Sequence, residues 1–439
     1  MAVHPRGTER NPMLIGPKKK IAFVCSGGAT KAGAFHLGVA LALQEQGFGF
    51  FGGTIPNRGQ NQDDASQSIP KPVPMQISTY VGSSAGSIIS SYLAAGYSLD
   101  NIFNSFLDRK PSSHDPADHF PKILPRLTYQ KMFKIKPRLG REQINQLKHF
   151  RKIFSDFFDG NWEALIQFKW LKMTGIFSTV GIENYIREEV MPSNHFQDYL
   201  PDLFIVATQL DHSRKVVFGK TSYQPPPHDL TCQYENHVGI SDACAASTAL
   251  PVIYAPHGIR GKDNRMTYYI DGEIRDTLSS HVAVDAGADL VIASYTHQPY
   301  HMPGELSLTE HGLSAIVIQS IYLLIEQKIN NHIHNKQIQR DAIDAVSNYC
   351  KLEGVSDSHR TKICDLLQKN LNHRMDVDTI YIHPKANDAH LFFGDHFSLS
   401  AAKMTEIAKS GFRAAIDTLR KYEFADRKKE HAMGHARPR

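Results

Sequence analysis

The chain has 439 residues, 41% of them hydrophobic and 21% charged, the composition of a soluble globular protein with room for a large core. Lys and Arg number 49 against 44 acidic residues, and a net charge of +5 is too small and too dispersed to indicate a nucleic-acid partner. Five cysteines, an odd number without CxxC spacing, argue against a disulfide framework or a cysteine metal cage and for a reducing, cytoplasmic setting.

Residues 1–17 are polar, with Arg6 and Arg10 and no apolar core of a secretory signal, so they read as an N-terminal tail. Lys18, Lys19 and Lys20 lead into Ile21–Val24, an apolar run that predicts a buried strand. The strand ends at Ser26-Gly27-Gly28, and an Ala- and Leu-rich helix is expected from about Gly33 to Gln46. Residues 51–74 are rich in Gly, Pro, Asn and Gln and read as a long loop. A second strand, Ile77–Val81, runs into Gly82-Ser83-Ser84-Ala85-Gly86 and a helix reaching about Ala95.

Residues 98–200 carry a helical pattern and read as an insertion. Within it, Lys131, Lys134, Lys136, Arg138, Arg141, Lys148, Arg151 and Lys152 face only one acid, Glu142. Ile144, Leu147, Phe150, Phe154 and Phe157 recur at helical spacing, so residues 131–157 describe a basic amphipathic helix. Such a helix either lies on an anionic bilayer or packs its apolar face on the core.

Strands return at Leu203–Thr208, Lys215–Phe218, Thr267–Ile270 and Leu290–Ser294. Residues 305–372 are helical again. Their apolar run, Leu313–Ile325, is shorter than the roughly 20 residues a spanning helix needs, so the protein is expected to be soluble or peripheral. His332 and His334 alternate on a polar stretch and read as helix-surface residues, not metal ligands. A strand at Thr379–His383 and a helix from about Ser400 to Tyr422 close the pattern, with residues 423–439 as a charged tail. Alternating strands and helices predict an α/β fold with a mainly parallel sheet covered on both faces.

Three segments carry chemistry. Gly82-Ser83-Ser84-Ala85-Gly86 fits G-x-S-x-G between strand and helix, where a nucleophile on a sharp turn needs small neighbours and the helix N-terminus can receive an oxyanion. Ser26 to Gly33 is a glycine-rich strand-to-helix turn offering backbone N–H groups to an anion. It fits neither G-x-G-x-x-G nor a phosphate loop, which weakens a nucleotide reading. Asp271-Gly272 ends the strand Thr267–Ile270, and by itself such a pair is usually a turn.

Together, in this order, the three segments resemble the patatin-like phospholipase family. Lys31 to Val39 looks like that family's basic residue and first helix, and Ala246-Ser247-Thr248-Ala249-Leu250-Pro251 looks like its Ser-Ala-x-Pro segment. The resemblance covers roughly residues 18–422 and implies a three-layer α/β/α fold. It implies a lipid acyl hydrolase of the phospholipase A or lysophospholipase type, without metal or cofactor. Ser84 would be the nucleophile and Asp271 its proton acceptor, in a dyad. Gly27, Gly28, Ala29 and Ala85 would form the oxyanion hole, Gly82 and Gly86 the nucleophile elbow, and Lys31 and Gly33 would support the loop. The partner implied is a lipid or phospholipid substrate, reached by peripheral membrane contact.

Two departures mark this sequence. Ala29 stands where the family usually has a third glycine, and Glu273 follows Asp271-Gly272 where Gly or Ala is usual. Glu273 either faces solvent or raises the pKa of Asp271. Two other readings compete: an α/β-hydrolase with a Ser-Asp-His triad completed by His281 or His297, and an inactive lipid-binding protein of the same fold.

Overall fold

The computed structural model describes residues 12–56, 70–109, 123–135, 175–220, 231–304 and 306–426. The strands of the first half are β1 (Met13–Ile15), β2 (Ile21–Cys25), β3 (Gly49–Phe50), β4 (Gln76–Ser83), β5 (Lys134–Ile135), β6 (Phe177–Ser178), β7 (Asp202–Gln209) and β8 (Arg214–Gly219). Those of the second half are β9 (Cys232–Glu235), β10 (His257–Arg260), β11 (Met266–Asp271), β12 (Leu290–Ser294), β13 (Asp378–Ile382) and β14 (Tyr422–Phe424).

One sheet takes ten of them. Its body, in spatial order β13, β12, β2, β4 and β7, is parallel throughout. Strand side chains alternate between faces, and β2 sends Phe23 and Cys25 to one core and Ala22 and Val24 to the other. The first core lies under the helices Ala29–Glu45, Ala85–Ala94 and Ala401–Leu419. The second lies under Ser280–Asp285 and part of Gly312–Leu352. Each fully buried Val, Leu, Ile or Phe contributes about 1.5–3 kcal/mol, so a strand buried on both faces is held without any polar face to water. The result is a three-layer α/β/α fold with a mainly parallel sheet and helical additions, as expected.

The helix after β2 begins at Ala29, four residues earlier than the composition predicts. Gly28, at φ 129°, turns the chain from strand to helix in one step, so the Ala-Thr-Lys-Ala segment is already helical. Against this helix the helix Ala401–Leu419 packs backbone to backbone. A Cβ on Gly38 would stand 1.9 Å from the Ala408 carbonyl oxygen, and one on Gly411 would stand 2.2 Å from that of Phe35.

Short strands escaped the sequence reading, because two or three residues carry no periodicity. β1 pairs in parallel with β14, so regular structure extends on both sides of residues 18 and 422. In the 98–200 region the described residues form the helices Leu99–Leu107, Tyr129–Met132 and Val180–Tyr185 and the antiparallel pair β5–β6. Of the basic stretch 131–157, residues 136–157 lie outside the described residues. The same holds for 57–69 of the long loop.

The apolar run Leu313–Ile325 opens a helix of 41 residues, Gly312–Leu352. With its first turn this is the one helix among the described residues long and apolar enough to cross a membrane by length and composition. The run alone looked too short because it stops at Glu326, whereas the helix does not. Ala315, Tyr322 and Ile329 form its buried stripe, while Leu313, Ile316, Ile321, Leu323 and Leu324 are exposed. A surface helix ordinarily turns such residues inward.

Candidate active site

The site is assembled on β7. Along one edge this strand pairs with β8. Along its other edge β4 runs parallel as far as Ser83 opposite Val206, and β11 arrives from the opposite direction to place Asp271 opposite Ala207. The ends of β4 and β11 therefore meet head-on at consecutive residues of β7, one strand step of about 3.3 Å apart. Two residues remote in sequence become neighbours this way. The Ser84 side chain stands close enough to the Asp271 carboxyl to lower its pKa against the effect of burial, and both side chains are buried.

Ser84 sits at φ 50° and ψ −125°, a conformation costing a non-glycine residue about 1–3 kcal/mol. Its surroundings hold it there. The Ser84 N–H donates to Ser247 Oγ at 2.8 Å, and Ser247 Oγ donates to the Val206 carbonyl at 2.6 Å. Ser87 Oγ donates to the Ser84 carbonyl at 2.6 Å. A Cβ on Gly82 would lie 2.4 Å from the Gly86 carbonyl oxygen, and one on Gly86 only 2.1 Å from that of Cys25. Both glycines are thus required by backbone, Gly82 by the turn at Gly86 and Gly86 by the neighbouring strand β2.

The glycine turn after β2 faces the same junction. A Cβ on Gly27 would stand 2.8 Å from Ser84 Cβ, and one on Gly28 would stand 2.6 Å from Thr296 Oγ1. Ala29, at φ 56°, adopts a backbone that favours glycine and opens the following helix. The first N–H groups of a helix have no intrahelical acceptor, which applies to Ala29 here and to Ala85 in the helix after Ser84. The Gly27 N–H is engaged, donating to Glu273 Oε1 at 2.7 Å. The same carboxyl oxygen accepts a short hydrogen bond from Ser83 Oγ. Glu273 therefore faces inward and not solvent, but what raises the Asp271 pKa is burial, and the Glu273 N–H lowers it.

Burial pushes the Asp271 carboxyl up to about 6, opposed by the hydrogen bond from Ser84 and by the Glu273 N–H, which donates to Asp271 Oδ1 at 2.9 Å. Burial also pushes Glu273 up, to about 8, with the Asp271 charge adding to it. Asp271 thus ionises at lower pH than Glu273, which burial first, and the Asp271 charge after it, holds neutral.

Lys31 does not reach the junction. Its ammonium is fully buried, donates to the Leu391 carbonyl at 2.9 Å and lies 5.6 Å from the Tyr322 ring centroid. Burial lowers its pKa to about 7, with Asp388 and Asp395 opposing. It ties the glycine turn to the segment Ala389–Phe392. His36 ties the turn to β12, through Ser294 Oγ at 2.7 Å and the Ser26 carbonyl at 2.8 Å. Gly33 has ordinary room, with Ile89 Cγ1 3.7 Å from an added Cβ, so nothing there demands glycine.

Among the described residues no histidine hydrogen-bonds to Ser84 or Asp271. His281 Nε2 lies 2.8 Å from Lys215 Nζ and its Nδ1 lies 3.6 Å from Asp276. His297 is buried beside Gly28 and packs edge-on against Tyr322, and its Nδ1 has no partner. Burial first, then the Lys31 charge, lowers the His297 pKa to about 3. Sequence reasoning had placed Ser247 in a notable segment without seeing that it holds the Ser84 backbone, and had passed over Ser83 and Thr296.

A family model described as patatin-like phospholipase matches residues 23–284, more than half of the chain. That span holds the glycine turn, Ser84 and Asp271. No curated protein matches the chain.

Proposed function

The chain belongs to the patatin-like phospholipase family, whose chemistry is the hydrolysis of lipid esters, and we propose that it does so as a phospholipase A or lysophospholipase with a Ser84–Asp271 dyad. The observation that carries this reading is the head-on junction of β4 and β11 on β7, which sets buried Ser84 beside the buried Asp271 carboxyl. In the reaction Asp271 accepts the Ser84 proton as Oγ bonds to the ester carbonyl carbon. The carbonyl oxygen, now an oxyanion, accepts from backbone N–H groups of Gly28, Ala29 and Ala85, and from that of Gly27 once the Glu273 carboxyl has moved off it. Donors of this kind are worth about 2.7–4 kcal/mol each. Collapse of the intermediate expels the alcohol, which takes the proton back from Asp271. Water then gives a proton to Asp271 as it attacks the acyl carbonyl carbon, and Asp271 returns that proton to Ser84 Oγ as the ester bond breaks and the fatty acid leaves.

The pH dependence follows from the upward shift of Asp271. A proton acceptor works only when ionised, so kcat/KM for a nitrophenyl ester rises through about pH 6 and is lost below it. A profile flat from pH 4 to 8, or a limb near the ordinary carboxylate pKa of about 4, would remove Asp271 from this role.

Lipid contact has its own support. The outward face of the first part of the helix Gly312–Leu352 is uncharged and, apart from Ser320, made of Leu and Ile side chains. Its inner side, at Tyr322, packs on His297 beside the glycine turn. A face so placed enters the acyl region of a bilayer next to the site. Replacing Ile321 and Leu324 by Asp is expected to lower activity on phospholipid vesicles by roughly tenfold or more, from the apolar burial lost, and to spare a soluble ester. Equal vesicle activity of the double variant would place the lipid contact elsewhere.

A further inference from the structure

Glu273 stands in the wrong place for a bystander. Its Oε1 accepts the Gly27 N–H at 2.7 Å and a short bond from Ser83 Oγ. Its Cγ would lie 2.5 Å from a Cβ on Gly27, where Ser84 Cβ would lie 2.8 Å, so side chain and nucleophile flank one glycine. Its Oε2 is buried with no partner. A carboxyl oxygen that accepts from the glycine turn beside the nucleophile occupies the kind of position an ester carbonyl oxygen takes during acyl transfer.

We propose that Glu273 is an internal occupant of the oxyanion pocket, which an acyl ester displaces and which thereby sets how readily Ser84 is acylated. This rests on the hydrolase reading above. The two protonation states of Glu273 act differently. A neutral carboxyl offers a carbonyl oxygen and competes as a ground-state carbonyl does, weakly. An ionised carboxylate resembles the oxyanion and holds the N–H more strongly, because charge-assisted hydrogen bonds are roughly twice as strong as neutral ones. The charged groups facing it are Asp271 and Asp276, both raising its pKa, and Asp276 is itself paired with Lys215 and lies beside His281. Burial is the larger cause of the shift. Between about pH 6 and 8, Asp271 is therefore ionised while Glu273 is neutral and displaceable. Above that window the occupant locks.

The test is the rate of covalent labelling of Ser84 by a soluble fluorophosphonate, followed from pH 5 to 10 in the full chain and in its Glu273→Gln and Glu273→Ala variants, with Ser84→Ala as blank. The unsubstituted protein should show an alkaline fall centred near pH 8. Glu273→Gln should lose that fall while keeping the acid limb, and Glu273→Ala should label roughly tenfold faster or more at pH 9, the effect of freeing one charge-assisted donor. Thermal melts confirm that the variants are folded. Ser84-dependent labelling that is slower in both variants, or that keeps its alkaline limb in Glu273→Gln, overturns the proposal alone. Absence of Ser84-dependent labelling in every protein overturns the hydrolase reading and this proposal with it.

Discussion

Replacing Ser84 by Ala abolishes ester hydrolysis, with kcat/KM on a soluble nitrophenyl ester falling by roughly 10⁴-fold or more, and Asp271→Asn does nearly the same. The two losses do not add in the double variant, because nucleophile and proton acceptor act as one unit. Asp271→Asn keeps the shape of the junction and can still accept the Glu273 N–H, so its failure is one of proton transfer and not of folding. His281→Ala and His297→Ala retain most of the activity, since neither ring bonds to Ser84 or Asp271 and burial holds both neutral. Loss of hydrolysis in either histidine variant, with its melting temperature unchanged, would move the enzyme to the triad class.

The parts of the fold legible in the sequence were those with strong local signals. β2, β7 and β12 are near-continuous apolar runs ended by serine or polar residues, the pattern of strands buried on both faces, and β4 is a shorter β-branched and aromatic run broken by Ser78. The sharp turn at Ser84 was legible because Gly82 and Gly86 flank it between a β-branched run and a small-residue helix. What could not be seen was the tandem use of one edge of β7. Nothing in residues 266–271 says that their strand runs against β7 while β4 runs with it, yet that arrangement alone brings Asp271 to Ser84. The inward turn of Glu273 was hidden for a similar reason. Its partners, Gly27 and Ser83, come from two other strand ends, and a carboxylate after Asp-Gly is ordinarily solvated. The apolar outer face of the helix Gly312–Leu352 was visible as a run, but periodicity assigns such a run to a core by default. Only the buried stripe at Ala315, Tyr322 and Ile329 reveals which side is left over.

The second large effect is expected at Gly86, where the elbow meets β2. An alanine there would put its Cβ 2.1 Å from the Cys25 carbonyl oxygen and 2.6 Å from its carbonyl carbon, and no rotamer change relieves a clash with backbone. Either β2 or the helix Ala85–Ala94 must shift. Overpacking of this kind costs about 1–3 kcal/mol or more, enough to lower the melting temperature measurably. The effect on hydrolysis should exceed the effect on stability, because a displacement of about 1 Å between nucleophile and oxyanion donors costs roughly 10²-fold in rate. Gly33→Ala supplies the contrast. It lies inside the helix Ala29–Glu45 with Ile89 3.7 Å away, so the added methyl meets ordinary space, and replacing a mid-helix glycine gains about 0.5–1 kcal/mol. Paired thermal melts and ester assays of the two variants separate the glycine that shapes the nucleophile turn from the one that merely sits in a helix. A Gly86→Ala protein with unchanged melting temperature and activity would mean that the turn does not press on β2 as described here.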